Sequence, residues 1–175
     1  MFGEEAGRVP PVKKPKKSLP MPGEVFSVSN YTAFVIMPPQ RDETDHEATP
    51  WVWYAPTLPG LPGPEEKWMF EKFLAAGIAV AGVDVGESCG NPKGREGFTA
   101  LHDELVWKRG FAKRACLLAR SRGGLMLYNW AVEHPESVAC MAGIYPVCDP
   151  SSWPGVQSAS GAYGLTPDQF REQLA

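Results

Sequence analysis

Residues 117–130 read LLARSRGGLMLYNW, with one serine standing between two arginines and two small residues, Ala119 and Gly123. The segment before it, RACLLA at 114–119, has the length and continuous apolarity of a buried strand, and the segment after it reads as a helix. A serine at such a corner has its hydroxyl lifted clear of the backbone, and so sharp a turn holds it in a strained conformation worth ~1–3 kcal/mol. The residues two before and two after it must be very small, because strand and helix nearly touch there. Ala119 and Gly123 meet that demand, and Gly124 lets the new helix lie close to the sheet. The chemistry such a residue can do is nucleophilic attack on an acyl carbonyl, and the negative oxygen so formed needs donors already in place. One donor is the backbone N–H of Arg122, at a helix N-terminus where the dipole favours negative charge.

The elements that would position this corner follow one another in a regular rhythm. EVFSVSNYTAFVIMP (24–38) predicts one or two outer strands with a turn near Ser29-Asn30, and QRDETDHEATP a polar loop. WVWYAP (51–56) is a short apolar strand, followed by the proline- and glycine-dense loop TLPGLPGP. Pro64 suits the first position of a helix, with Glu65 and Glu66 favourable in its first turn. That helix places Phe70, Phe73, Leu74 and Gly77 on one face. IAVAGVDV (78–85) is apolar at nearly every position, as a strand covered on both faces must be. GREGFTALHDELVWKRG is an amphipathic helix with Phe98, Leu101 and Leu105 inward. Gly123 to about His134 is the next helix and VACMAGIYPV (138–147) the next strand. GLTPDQFREQLA opens a further helix with Thr166 as cap. Alternating strands and helices with apolar strands predict an α/β fold, a mostly parallel sheet wrapped by helices on both faces. Residues 1–23, rich in proline and lysine, read as a mobile or loosely wrapped arm, and 24–175 as one domain. Open parallel sheets carry their chemistry at the carboxyl ends of strands, and Ser121 falls at such an end.

The pentapeptide Ala119-Arg120-Ser121-Arg122-Gly123 resembles the G-x-S-x-G nucleophile elbow of the α/β-hydrolase family, with alanine in place of the first glycine. The longer string SRGGLMLYNWAVEHPESVACMAGIYPVCD is similar to the bacterial esterase and prolyl-oligopeptidase-like branch, and the resemblance spans roughly residues 24–175. It implies a serine hydrolase acting on carboxylic esters, sugar esters among them, through an acyl-enzyme and without a cofactor or metal. It also implies Ser121 as nucleophile. The second oxyanion donor falls in the loop after the strand 51–56, where Thr57 and Leu58 both remain candidates. Arg120, Tyr145 and Trp153 are candidates for substrate contacts, although Arg120 and Arg122 could equally be salt-bridged structural residues. Asp84 and Glu87 read as cleft residues or, with more weight, as caps. Trp53 and Tyr54 read as packing residues.

A serine nucleophile needs a base, and the base an acid to orient it; in this family they follow in the order serine, acid, histidine. After Ser121 the sequence holds one histidine, His134, at the far end of the helix that starts at the elbow, about 20 Å along its axis. His102 lies mid-helix beside Phe98 and Leu105, and His46 in the polar loop. Asp149 stands where some members keep the acid, with no histidine to orient. The resemblance therefore implies two further strands, bearing acid and histidine, beyond the present sequence, with 138–147 left as an adhesive edge. The expectation is an α/β-hydrolase core lacking its C-terminal strands, active only when these are supplied. The alternative is a non-catalytic remnant or interaction module. A dinucleotide-binding fold ranks below both, because no G-x-G-x-x-G follows the first strand.

Composition bounds the rest. With 175 residues, 43% hydrophobic, the chain can build one real core. A formal net charge of -3 exerts no general pull on nucleic acid or anionic membrane, which leaves a small neutral or mildly polar ligand; that this is a small-molecule ester is what the resemblance implies. The lysines 13, 14, 16 and 17, broken by a proline, read as a solvated tail rather than a phosphate or nuclear-import patch. No apolar run is long enough for a membrane span, and no secretory signal core precedes the domain, so a cytoplasmic location is the default expectation. Cys89, Cys116, Cys140 and Cys148 show no zinc spacing and read as buried reduced thiols.

Overall fold

A computed structural model of the protein describes residues 15–39 and 47–174. The first apolar stretch folds as a hairpin of β1 (Glu24–Val28) and β2 (Tyr31–Ile36), turning at Ser29-Asn30 with Ser29 at φ 49°. Then come β3 (Trp51–Ala55), α1 (Lys67–Ala75), β4 (Ala79–Asp84), α2 (Pro92–Asp103), β5 (Ala115–Arg120), α3 (Gly123–Glu133), β6 (Val138–Ile144), α4 (Val156–Ala162) and α5 (Pro167–Leu174). The six strands form one sheet in the order β1-β2-β4-β3-β5-β6. β1 and β2 pair antiparallel, as do β2 and β4, whereas β3 with β4, β3 with β5, and β5 with β6 are parallel. The sheet is thus mostly parallel, as the apolar strands predict.

Period-two alternation divides the core into two layers. Trp51, Trp53, Ala79, Ala81, Leu117 and Ala119 face α2 and α3, where Phe98, Leu101, Leu105, Met126, Leu127 and Trp130 cover them. Val52, Tyr54, Val80 and Leu118 face α1, which contributes Phe70 and Leu74. Helices therefore lie on both faces, and the three apolar residues foreseen on this helix point inward, Phe98 and Leu101 from α2 and Leu105 from the π-helical turn that continues it. Leu19 and Met21, in the proline-rich arm, pack against the α1 layer.

Several local details differ from the sequence reading. Pro64–Glu66 form a 3-10 turn before α1, and α2 runs into a π-helical turn over Glu104–Lys108 before Gly110. α4 was not anticipated, because its sequence VQSASGA has no apolar period and is rich in weak helix formers. α5 begins as expected: the Gln169 N–H donates to Thr166 Oγ1 at 3.3 Å while Gln169 Oε1 accepts the Thr166 N–H at 2.9 Å, a reciprocal cap.

The expectation that the cysteines are buried needs correction. All four are free thiols, but Cys140 and Cys148 are exposed and only Cys89 is fully buried. Cys140 lies on β6, an edge strand exposed along five central residues, with Met141 half exposed. An apolar strand is expected to be covered, and nothing among the described residues covers this one. None of their helices is long and apolar enough to cross a membrane.

Candidate active site

Ser121 follows the last residue of β5 and precedes α3 by two residues. Its φ is +49°, in the left-handed region that a residue with a Cβ rarely adopts. The conformation is pinned on both sides of the peptide unit: the Ser121 N–H donates to the Ile144 carbonyl at 3.0 Å, and the Ser121 carbonyl accepts the Val147 N–H at 2.8 Å. The end of β6 thus holds the corner that β5 and α3 create. Gly123 and Gly124 permit it sterically. A Cβ on Gly123 would strike the Ala55 carbonyl, and one on Gly124 the Val147 carbonyl, both backbone atoms. Ala119, wholly buried, is the small residue on the other side. Ser121→Gly is expected to raise folding stability by about 1 kcal/mol, since relief of strain exceeds the added chain entropy. Chemical denaturation checks this; an unchanged or lower midpoint would mean the corner is relaxed.

The backbone N–H of Arg122 makes no hydrogen bond among the described residues, and neither do those of Thr57 and Leu58. Thr57 is buried, its Oγ1 donating to the Tyr54 carbonyl at 3.3 Å, and Leu58 is partly exposed. The Leu58 carbonyl accepts both the Leu61 N–H at 2.9 Å and Lys17 Nζ at 2.9 Å, so a residue of the arm braces this loop. Burial lowers the Lys17 pKa, against the opposing influence of Asp84.

The two arginines beside Ser121 are both engaged. Arg120 Nη1 donates to Glu66 Oε1, and its Nε donates to the Tyr145 hydroxyl at 3.0 Å. Glu66 is almost fully buried, and its carboxylate also accepts the Tyr54 hydroxyl at 2.9 Å and the Gly63 N–H at 2.7 Å. Burial, then the Glu66 charge, push the Tyr54 phenol far above its usual range, so it stays a donor. Arg122 pairs with Glu87 and lies 4.8 Å over the Trp153 ring. Tyr145 and Trp153 therefore each touch an arginine next to Ser121. Asp84 accepts the Gly86 N–H at 3.0 Å, a local cap.

No described histidine is brought to this corner. His102 Nε2 donates to the carbonyl of Lys113, before β5 begins, and its ring packs 6.4 Å from Trp53. Ser121 follows the other end of that six-residue strand, about 20 Å away. His134 closes α3 at its far end, with its ring 4.7 Å from Trp130. His46 lies outside the described residues. Asp149 is exposed and turned back on its own loop, accepting Ser151 Oγ and the Ser151 N–H, both at 2.7 Å, which keep its carboxyl below the usual range. Among the described residues no cluster of His, Cys, Asp and Glu could hold a metal ion.

The fold is the α/β-hydrolase fold. A carboxylesterase of Lactobacillus plantarum WCFS1 superposes with a TM-score of 0.63 at 19% identity, over 86% of this chain and 65% of its own. A lipase/esterase from Lactobacillus plantarum gives 0.59 at 16%, covering 85% of this chain and 71% of that one. A puromycin-hydrolyzing peptidase of Mycobacterium tuberculosis gives 0.61 at 16%, covering 82% and 25%. The chain thus spans from about a quarter to seven tenths of these structures. No family model and no curated protein matches the chain.

Glu66 was the residue the sequence reading passed over. The only signal was an acid on the first turn of a helix; Gly63 is three residues away, but Arg120, the partner that ties it to the elbow, is 54 residues distant.

Proposed function

We propose that the protein is a serine hydrolase of carboxylic esters, sugar esters among them, acting through an acyl-enzyme on Ser121. One observation carries the reading: Ser121 is held at φ +49° between a strand end and a helix start, where α3 abuts Ala55 and Pro56, and the N–H groups of Arg122, Thr57 and Leu58 have no partner among the described residues. Attack by Ser121 Oγ on an ester carbonyl places the negative oxygen where Arg122 and one of Thr57 or Leu58 can donate to it. Each such donor contributes about 2.7–4 kcal/mol in comparable enzymes. Tyr145 and Trp153 flank the substrate, and Arg120 and Arg122 set the positions of these two rings. The carboxylesterase and lipase/esterase among the similar structures support ester chemistry by name.

The acid and base come from polypeptide that pairs with the open edge of β6. That edge runs straight to Ile144, whose carbonyl holds Ser121, so a further strand there delivers its carboxyl end beside the nucleophile. On the 175-residue chain alone a fluorophosphonate probe is expected to react at Ser121 about a millionfold more slowly than with acid and base present. With a polypeptide that carries both and pairs along β6, the adduct is expected on Ser121 and is lost in Ser121→Ala. Fast labelling of the isolated chain would overturn the placement of the base. An adduct on another serine, or none with acid and base present, would overturn the nucleophile and leave a non-catalytic interaction module.

A further inference from the structure

Glu66 is a buried carboxylate whose partners come from three parts of the fold. Tyr54 is the penultimate residue of β3, Gly63 closes the loop that carries Thr57 and Leu58, and Arg120 ends β5 one residue before Ser121. Its bonds are charge-assisted, those to Tyr54 and Gly63 buried and that to Arg120 partly buried, and such bonds are stronger and more directional than neutral ones. The two halves of the proposed oxyanion site belong to different strands: the Arg122 N–H follows β5, and the Thr57 and Leu58 N–H groups follow β3. Strand pairing sets the distance between Ala55 and Ala119, but the loop beyond Ala55 has no ladder to hold it. One oxygen of Glu66 takes the loop through Gly63 N–H, and the other takes the elbow through Arg120.

Resting on the reading of Ser121 as nucleophile, we infer that Glu66 is a positioning residue: its carboxylate fixes the loop of residues 56–63 in register with the elbow, so that oxyanion donors from both strands converge on one point. It touches no substrate and acts through Gly63 and Arg120. Arg120 accordingly serves first as the elbow's tether, and Tyr145, bonded to its Nε, shares that tether.

Hydrogen exchange by mass spectrometry on the 175-residue chain tests the coupling. Glu66→Gln keeps the shape but loses the charge and one acceptor. It is expected to speed exchange about tenfold or more in two segments at once, residues 57–63 and 120–124. Arg120→Met, cutting the same tether from the other end, is expected to speed exchange in the loop at 57–63, where it makes no direct contact. Leu74→Ala, a cavity in the α1 layer away from the site, is expected to speed α1 alone. Acceleration confined to the residues flanking position 66, or the same pattern in Leu74→Ala, would overturn the proposal, as would an unperturbed loop in Arg120→Met. A second readout is catalytic. With acid and base present, Glu66→Gln is expected to lower kcat about tenfold or more with KM nearly unchanged, while Leu74→Ala leaves both within about twofold. A KM effect alone would overturn it. If wild type never labels at Ser121, the nucleophile reading fails, and the exchange result still decides whether Glu66 couples loop to elbow.

Discussion

Gly123→Ala is expected to lower folding stability by about 3 kcal/mol and to abolish any reactivity of Ser121. The added methyl would meet the Ala55 carbonyl oxygen and carbon and the Pro56 nitrogen, all backbone. These atoms cannot retreat, because β3 is clamped between β4 and β5. Relief must come from lifting α3 off the sheet or from displacing residues 56–58, and either one separates Arg122 from Thr57 and Leu58. Helix propensity alone argues the opposite sign, since alanine is favoured over glycine by about 1 kcal/mol in a helix. Gly161→Ala, in α4 where open space surrounds the position, supplies the control and is expected to be neutral or stabilising. Urea unfolding of both variants separates the effects. Wild-type stability in Gly123→Ala would show that strand and helix are not in contact at the elbow.

Trp53→Ala is expected to cost about 3–5 kcal/mol, the largest loss for a single side chain outside the elbow. Trp53 is fully buried in β3 and packs 4.7 Å from the ring of Trp130 on α3, 5.5 Å from Phe98 on α2 and 5.1 Å from Trp51. It is the side chain on which both helices of that face rest, and α3 in turn presents the Arg122 N–H. Its Nε1 is buried without a hydrogen-bond partner among the described residues. Trp53→Phe deletes that unsatisfied donor along with part of the ring, so its loss is expected to be clearly smaller. Denaturation midpoints, with near-ultraviolet circular dichroism to follow the ring cluster, test the pair. Equal losses in the two variants would mean that the indole is bonded.

Much of this was legible in residue order. Continuous apolar runs at 78–85 and 114–119 marked covered strands, and Phe98, Leu101 and Leu105 at helical spacing marked the inner face of α2 and the turn that continues it. These signals are local: a strand needs alternate or continuous burial and a helix an apolar stripe, and neither depends on distant partners. Ser121 was legible for the same reason, since Ala119, Gly123 and Gly124 record a steric demand within a few residues. Cys140 misled because its apolar surroundings imply a cover that the described residues do not supply. α4 was missed because small polar residues carry no period.

By itself, then, the sequence determined the order and type of most elements and the tight corner at 121, because backbone geometry and side-chain size act over short spans. Tertiary structure alone decided which partners met there. Strand order placed β3 beside β5, and that neighbourhood joined Glu66 and Tyr54, on the β3 side, to Arg120 at the end of β5. Sheet register brings together residues tens of positions apart, and no periodicity along the chain records which of them will meet.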